Sequence, residues 1–463
     1  MPLFKKPIEQ EFFSLRLRAG RPMTELEFYA RELTDWETSP ERHEMIDGDR
    51  YYTGDHDILK RQRTAIGPDG KLITIENLPN NRIVDNQYAK HVDQKANYLL
   101  GQPISFSCEN DDYAAEVKKV LGMRFMRTLK SAGVECLNAG ISWLYPYYNK
   151  NGELAFRVFP GYEIMPFWAD AAHTELDSAL RLYPVEVYYG TEKKIVKKVD
   201  LFTLEGVTTY IFENGVLTPD TEKQAYVKVK DSKGNEQPLN WERFPLIPIK
   251  YNPKEVPLIR RGRSLQDAIN LLQSDFVNNM EEDVRNTVLV LKNYDGQDLG
   301  EFRRNLTTYG AIKVRTVEGT DGGVDSLEIS VNSENYKTVL ELLKKALIEN
   351  LRSYDAKDDR LSGTPNQMNI QSMYCDIDLD ANAMETELQA AFEEILWFVN
   401  TYLANTGKGS YESEDITVIF NRDILINESE AIDNCSKSVG IISDETIVAM
   451  HPWVDDPAAE LER

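Results

Sequence analysis

Four stretches of this 463-residue sequence combine residue types that could do chemistry. Thr406-Gly407-Lys408-Gly409-Ser410 has the glycines and lysine of a phosphate-binding loop. In such a loop backbone N–H groups cradle phosphates at the start of a helix, and a Ser or Thr directly after the lysine holds Mg2+. Here Gly409 occupies that Ser/Thr place, and the first glycine of the pattern is missing. The string also follows a helical pattern instead of opening one, so it reads as a loop after a helix C-terminus. His43-Glu44 begins like the zinc helix of a metalloprotease, but Asp47 stands where the second histidine must be. Asp376, Asp378 and Asp380 alternate as cation-loop ligands do. On a helix only Asp376 and Asp380 share a face, and the glycine of a calcium loop is absent. The expectation is a solvated acidic patch. Residues 293–301 fail the same test, because Asp298 stands where the glycine is required.

Other chemistries lack their residues. There is no G-x-G-x-x-G and no G-x-S-x-G. The five histidines are not at ligand spacing from one another. Cys108, Cys136, Cys375 and Cys435 form no CxxC pair, so disulfides and a zinc knuckle are not expected and buried free thiols are. The sequence thus calls for no enzyme, no cofactor and no metal.

The elements that carry these residues fall into an α+β pattern. The length suggests two to four domains, and 41% hydrophobic residues are enough to bury cores. No apolar run approaches the ~20 residues of a membrane helix, and Met1-Pro2-Leu3-Phe4-Lys5-Lys6 lacks a signal-peptide core. Synthesis in a cytoplasm and no membrane partner are expected. A net charge of −23 disfavours gripping nucleic acid, since duplex binders release counterions with Lys and Arg. A surface along which a duplex must slide, however, does better to repel phosphates.

Residues 23–47 read as an acidic helix, 51–59 as a second short helix, and 83–100 as a helix with Val84, Tyr88, Val92, Lys95-Ala96 and Leu99 at helical spacing. From 155 to 250 the pattern alternates with period two, with hairpin turns at Asn214-Gly215 and Lys233-Gly234-Asn235. Ser264, with Asp267 three residues on, is the expected N-cap of a helix over 264–286. A small α/β insert follows: strand 288–291, a helix near 298–306, strand 311–314 and a turn at 319–323. A second helix covers 333–354. Asp358 to Gln367 is a polar loop with Gly363 and Pro365. The longest helical pattern then begins, with Ile370, Met373, Ile377, Ala381, Met384, Leu388, Ala391, Ile395, Val399 and Tyr402 near every 3.5 residues. Continuous from 368 to 405 it would span roughly 57 Å. A strand at 416–420 and a helical stretch from 428 close the chain.

Three strings, in this order, resemble one known family. They are Leu78 to Ile104 (LPNNR … ANYLLGQPI), Gly262 to Asn293 with Tyr309 to Val314 (YGAIKV), and the end from Gly440 to Arg463. They resemble the portal proteins of long-tailed phages of Gram-positive hosts. That resemblance implies a portal fold in which 1–263 form a β-rich wing rejoined by strand 416–420. Residues 264–287 and 333–354 would be stem helices, 288–332 a clip, 355–367 a tunnel loop, 368–405 a domain-bridging helix and 427–463 a short crown. It implies a ring, dodecameric in the virion, placed at one capsid vertex after assembly in the host cytoplasm. DNA would enter and leave through it. Expected partners are the terminase motor, head-completion or adaptor proteins, scaffold and major capsid protein, and the passing double-stranded DNA.

Residue roles follow from the same resemblance. Arg360, Ser362, Gly363, Thr364, Asn366 and Gln367 would face the DNA. Asp267, Asp275, Glu281, Glu282 and Asp283, against Arg285, give the first stem helix a net −4 per subunit, an acidic face for the lumen. The 376–380 carboxylates could likewise face the channel. Val288, Leu289, Val290, Leu291 and Ala311, Ile312, Lys313, Val314 would pair with strands of neighbouring subunits, because short apolar strands leave open edges. The alternative reading is another phage or prophage structural protein, such as a minor capsid protein without a channel.

Overall fold

The computed structural model describes residues 24–66, 70–74, 78–230, 236–283, 287–292, 323–328, 333–355, 367–411, 413–422, 427–454 and 460–461. It is a mixed α+β chain in two units. One unit comprises Met1–Asp55, Asn86–Arg263 and Leu347–Arg463; the other comprises His56–Asp85 and Ser264–Ala346.

In the first unit, helix α1 (Glu25–Glu37) opens on a capping box. Thr24 Oγ1 accepts from the Glu27 amide, and the Glu27 carboxylate accepts from the Thr24 amide. Its Phe28, Tyr29 and Leu33 are buried against Phe167, Leu180, Val199 and Phe212 of an antiparallel sheet. Helix α2 (Pro40–Thr53) starts at the Ser39 cap. Where one short helix was expected over 51–59, α2 runs on to Thr53, Gly54 closes it in a left-handed conformation, and a 3-10 turn covers Asp57–Lys60. Helix α3 (Gln87–Leu100) begins at the Asn86 cap, a few residues later than its periodicity suggested. The short strand β3 (Ser105–Cys108) and helices α4 (Asp111–Val120) and α5 (Met123–Ala139) follow it.

The strands β4 (Ile141–Tyr148), β5 (Leu154–Pro160) and β13 (Ile247–Lys250) form a three-stranded sheet in the order β13-β4-β5. The larger sheet has the order β10-β9-β8-β7-β6, from β6 (Ile164–Trp168), β7 (Leu176–Tyr189), β8 (Glu192–Thr203), β9 (Gly206–Glu213) and β10 (Val216–Pro219). The β9–β10 turn at Asn214-Gly215 has positive φ at both residues (51° and 76°), the tight turn whose twist suits a hairpin. Strands β11 (Val227–Lys230) and β12 (Glu236–Leu239) also pair; the residues between them lie outside those described.

Helix α8 (Gln367–Asn405) is 39 residues long. All ten apolar residues named for it above are buried. At 1.5 Å per residue it spans about 58 Å. Strand β16 (Ile416–Ile419) pairs with β3, and α9 (Glu428–Ser438) and α10 (Asp444–Ala449) are the last helices of the described chain.

Helix α6 (Ile259–Asp283) and helix α7 (Ser333–Asn350) each contribute to both units. Ser264 is therefore not an N-cap: it sits in the second turn of a helix that starts at Ile259. The Ser-x-x-Asp pattern mimicked a cap, but Arg260, Arg261 and Gly262 ahead of it are already helical. The second unit also holds the hairpin β1 (Thr64–Ile66) and β2 (Leu72–Thr74). It also holds an antiparallel pair, β14 (Thr287–Lys292) and β15 (Gly323–Glu328), with Leu291 opposite Val324. Gly323, expected in a turn, begins a strand instead. The helix and strand expected at 298–306 and 311–314 lie outside the described residues.

Candidate functional site

The region where 351–355 packs against the fourth turn of α8 is organised by one buried carboxylate. Asp380 projects from α8 beside Ile377 and Ala381, both buried. Its Oδ2 accepts from Lys95 Nζ of α3 at 2.7 Å and from the Tyr251 hydroxyl at 2.5 Å. Its Oδ1 accepts from Arg261 Nη1 of α6 at 3.1 Å and lies 3.6 Å from Arg352 Nη1. The Lys95 and Asp380 side chains are 4% and 5% exposed. A charge this deep is held only with partners that replace its lost hydration.

The titration of the cluster follows from that balance. Burial pushes the Asp380 carboxyl up, but Lys95, Tyr251 and Arg261 outweigh it and leave it below the usual aspartate range. Burial pulls Lys95 down, with Arg261 and Arg352 pushing the same way and Asp380 opposing. Burial and the neighbouring carboxylate drive the Tyr251 hydroxyl well up, so it remains a donor. The expected solvated patch is thus corrected at its third member. Asp376 is exposed, but Asp380 is a buried ion-pair centre. Asp378 is half-buried, accepts from the Tyr98 hydroxyl at 2.9 Å and pairs with Arg422.

The same elements hold the chain at 351–355. Lys95 Nζ also donates to Arg352 O at 3.0 Å, and Gln94 Nε2 to Tyr354 O at 3.3 Å. Tyr354, Tyr374 and Tyr98 form a row of rings with centroids 4.7 and 5.7 Å apart. Arg352 has φ 50°, a left-handed conformation in the residues that close α7. Glycine would adopt it at least cost. In sequence, residues 352–355 precede the segment 356–366 and α8 follows it. Arg360, Ser362, Gly363, Thr364 and Asn366 lie in that segment, outside the described residues. Gln367 is the first residue of α8.

In the second unit α6 presents a polar stripe, Gln266, Asn270, Ser274 and Asn278, every one fully buried. Facing it, the Asn81 amide donates to Asn278 Oδ1 (2.7 Å), the Ile83 amide to Ser274 Oγ (2.9 Å) and the Asp85 amide to Asn270 Oδ1 (3.0 Å). Gln266 Nε2 returns a bond to Asp85 O at 2.7 Å. The spacing is geometric. Two residues of extended chain advance about 6.6 Å, and four residues of helix about 6.0 Å. Each helical turn therefore meets the next outward amide.

Of the acidic set on α6, Asp275 is held by Arg61 at 2.8 Å, Asp267 is half-buried and Glu281 is exposed. Glu282 and Asp283 lie in its last turn. Of the strand set, Val288, Leu289, Val290 and Leu291 lie in β14, and Ala311, Ile312, Lys313 and Val314 lie outside the described residues. Cys136 and Cys435 are buried as expected, but Cys108 is only half-buried and Cys375 is exposed. The Thr406 to Ser410 string closes α8: the Lys408 amide donates to Leu403 O at 3.0 Å, and Gly407 has φ 70°. His43 Nδ1 is bonded to Ser39 O at 2.8 Å.

The sequence reading missed Lys95, Tyr251 and Arg261 as partners of Asp380, and the polar stripe of α6. Two signals were present. Lys95 stands on the apolar face of α3, where a cation needs a buried anion. The stripe recurs every four residues, which marks one face of a helix.

Among the described residues no helix is long and apolar enough to cross a membrane, and no three His, Cys, Asp or Glu side chains are grouped to hold a metal. The family described as "Phage portal protein, SPP1 Gp6-like" matches residues 37–463. The portal protein of Bacillus phage SPP1 is 30% identical over 423 residues, which span 90% of this chain and 82% of that protein. The portal protein of Clostridium phage phiCD119 is 27% identical over 427 residues, spanning 90% of each. A chain from the virion of a native gene transfer agent particle aligns with a TM-score of 0.39 and 12% identity, over 78% of this chain and 87% of that one, and adds nothing to the assignment. The family match over nearly the whole length, with a 30% identical relative matched over most of its length, gives the result: this chain belongs to the SPP1 Gp6-like phage portal proteins, structural and non-enzymatic components of the virion.

Proposed function

We propose that this chain forms a closed ring, dodecameric in the virion, whose axis is a channel for DNA, with 355–367 as its tunnel loop. The observation that carries this reading is a 39-residue helix packed against the chain that closes α7. Helix α3 holds Arg352 and Tyr354 on one side and Asp380, in the fourth turn of α8, on the other. Head-to-tail contacts of identical subunits close into rings when the rotation allows. Long helices then stack side by side around the axis.

In this reading residues 1–263 and strand 416–420 are the wing, 264–287 and 333–354 the stem, 288–332 the clip and 427–463 the crown. The clip docks the terminase motor during packaging and head-completion or adaptor proteins afterwards. Scaffold and major capsid protein surround the ring during assembly in the host cytoplasm. Ser362, Thr364, Asn366 and Gln367 are small or polar and uncharged, so they touch phosphates without gripping them. Among the described residues β14 pairs only with β15, and in this reading a neighbour's strand covers a remaining edge of the ribbon.

The test is to replace residues 362–367 with a bulkier segment and score ring assembly and DNA packaging separately. Intact rings with impaired packaging are expected. Loss of assembly, with the segment found on the outer rim, would overturn the tunnel-loop assignment.

A further inference from the structure

We infer that Lys95 and Asp380 form a clamp that fixes α8 against residues 351–355, the chain that leads into 356–366. Lys95 is its positioning residue. This rests on the reading of 355–367 as the segment facing the ring axis.

Lys95 bridges the chain before the segment and the fourth turn of the helix after it. One ammonium donates to Asp380 on α8 and to the carbonyl of Arg352, on the other side of the segment. The two contacts are 2.7 and 3.0 Å, and the side chain is almost fully buried. Three hydrogens on a compact ammonium make such a bridge possible; a neutral side chain of the same length leaves a buried carbonyl and a buried carboxylate short of donors. Asp380 recruits two further groups, Tyr251 next to the end of β13 and Arg261 in the first turn of α6. The clamp therefore also ties α8 to the first turn of α6.

The backbone at Arg352 points the same way. A left-handed residue directly after a helix is ordinarily glycine. Arginine there carries strain, and its guanidinium extends back toward Asp380 at 3.6 Å. Stability and positioning are thereby separated at one residue. Arg352→Gly relieves the strain but removes one arm of the clamp.

The experiment uses full-length rings in a Cys108→Ser, Cys375→Ser background, with spin labels at Asp355→Cys and Met368→Cys, diluted with unlabelled subunits so that each ring carries one labelled chain. Met368 is 77% exposed and tolerates a label. The expected result is one narrow distance peak, lost in Lys95→Met and partly lost in Arg352→Gly, although Arg352→Gly melts no earlier than its parent. A narrow peak that persists in both variants overturns the clamp. If Lys95→Met fails to fold, Arg352→Gly and Tyr251→Phe decide the matter by the same readout. Packaging is scored in parallel without labels. A lost peak with undiminished packaging supports the clamp and overturns the tunnel-loop reading on which it rests, so the two failures are distinct.

Discussion

Asp380 and Glu135 are both inside the first unit, and their neighbours drive them in opposite directions. Asp380 is surrounded by cations and stays ionised. Glu135, on α5, is pushed up to about 7 by burial, with Asp49 and Glu163 adding repulsion. Its ordinary value is 4.5, so between these two values the folded chain holds a proton that the unfolded chain releases. Glu135 therefore contributes most to stability below pH 4.5, and the contribution is lost as pH rises through 7. Glu135→Gln should raise the melting temperature at pH 8, by roughly 2 °C or more, and leave it nearly unchanged at about pH 4. Equal shifts at both pH values in a thermal melt would contradict this. A second residue-scale outcome concerns the polar ladder. Ser274→Ala leaves the half-buried Ile83 amide without its acceptor, a loss of about 1–3 kcal/mol. Hydrogen exchange at the Ile83 amide should quicken, while amides of the β7–β8 ladder keep their rates.

Elements were legible where one local pattern decided them. The stripe of α8 predicted its length within one residue, and Asn214-Gly215 announced its hairpin. Elements failed where a distant partner decided. Asp380 meets Lys95 from 285 residues away, and a 3.6-residue period cannot say which face will meet a cation. The β15 string, Gly323 to Glu328, carries turn-forming Gly and Asp residues, and only its register with β14 makes it a strand. Ser264 looked like a cap because its local spacing was right, while the helix had already begun. Packing between helices depends on equally hidden features. Gly48 of α2 lies so close to α5 that a Cβ would stand 2.0 Å from Asn138 O. That oxygen belongs to backbone and has little room to move. Gly48→Ala should cost about 1–3 kcal/mol, measured by urea unfolding. Gly122→Ala, whose nearest neighbour would be 3.5 Å away, should cost less.

For the whole molecule, the net charge of −23 fits the proposed ring, in which DNA would pass without being held. Purified protein should bind duplex weakly and lose that binding steeply with salt, and should hydrolyse no nucleotide, as a structural family member without a phosphate-binding loop. The family could be recognised from the order of three strings along the chain, because order survives where single motifs are weak. The loop expected from Gly363 and Pro365 lies outside the described residues; the groups that hold Arg352 and Asp380 were not legible, since they come from α3, α6 and the end of β13. Electron cryo-microscopy of the purified full-length protein tests the ring and its channel most directly. Closed rings with a central hole are predicted, with the N-terminal end of α8 and residues 356–366 nearest the axis, and the β14–β15 ribbon paired to a neighbour's strand. Uniform monomers, or rings with 356–366 on the outer rim, would contradict the assignment.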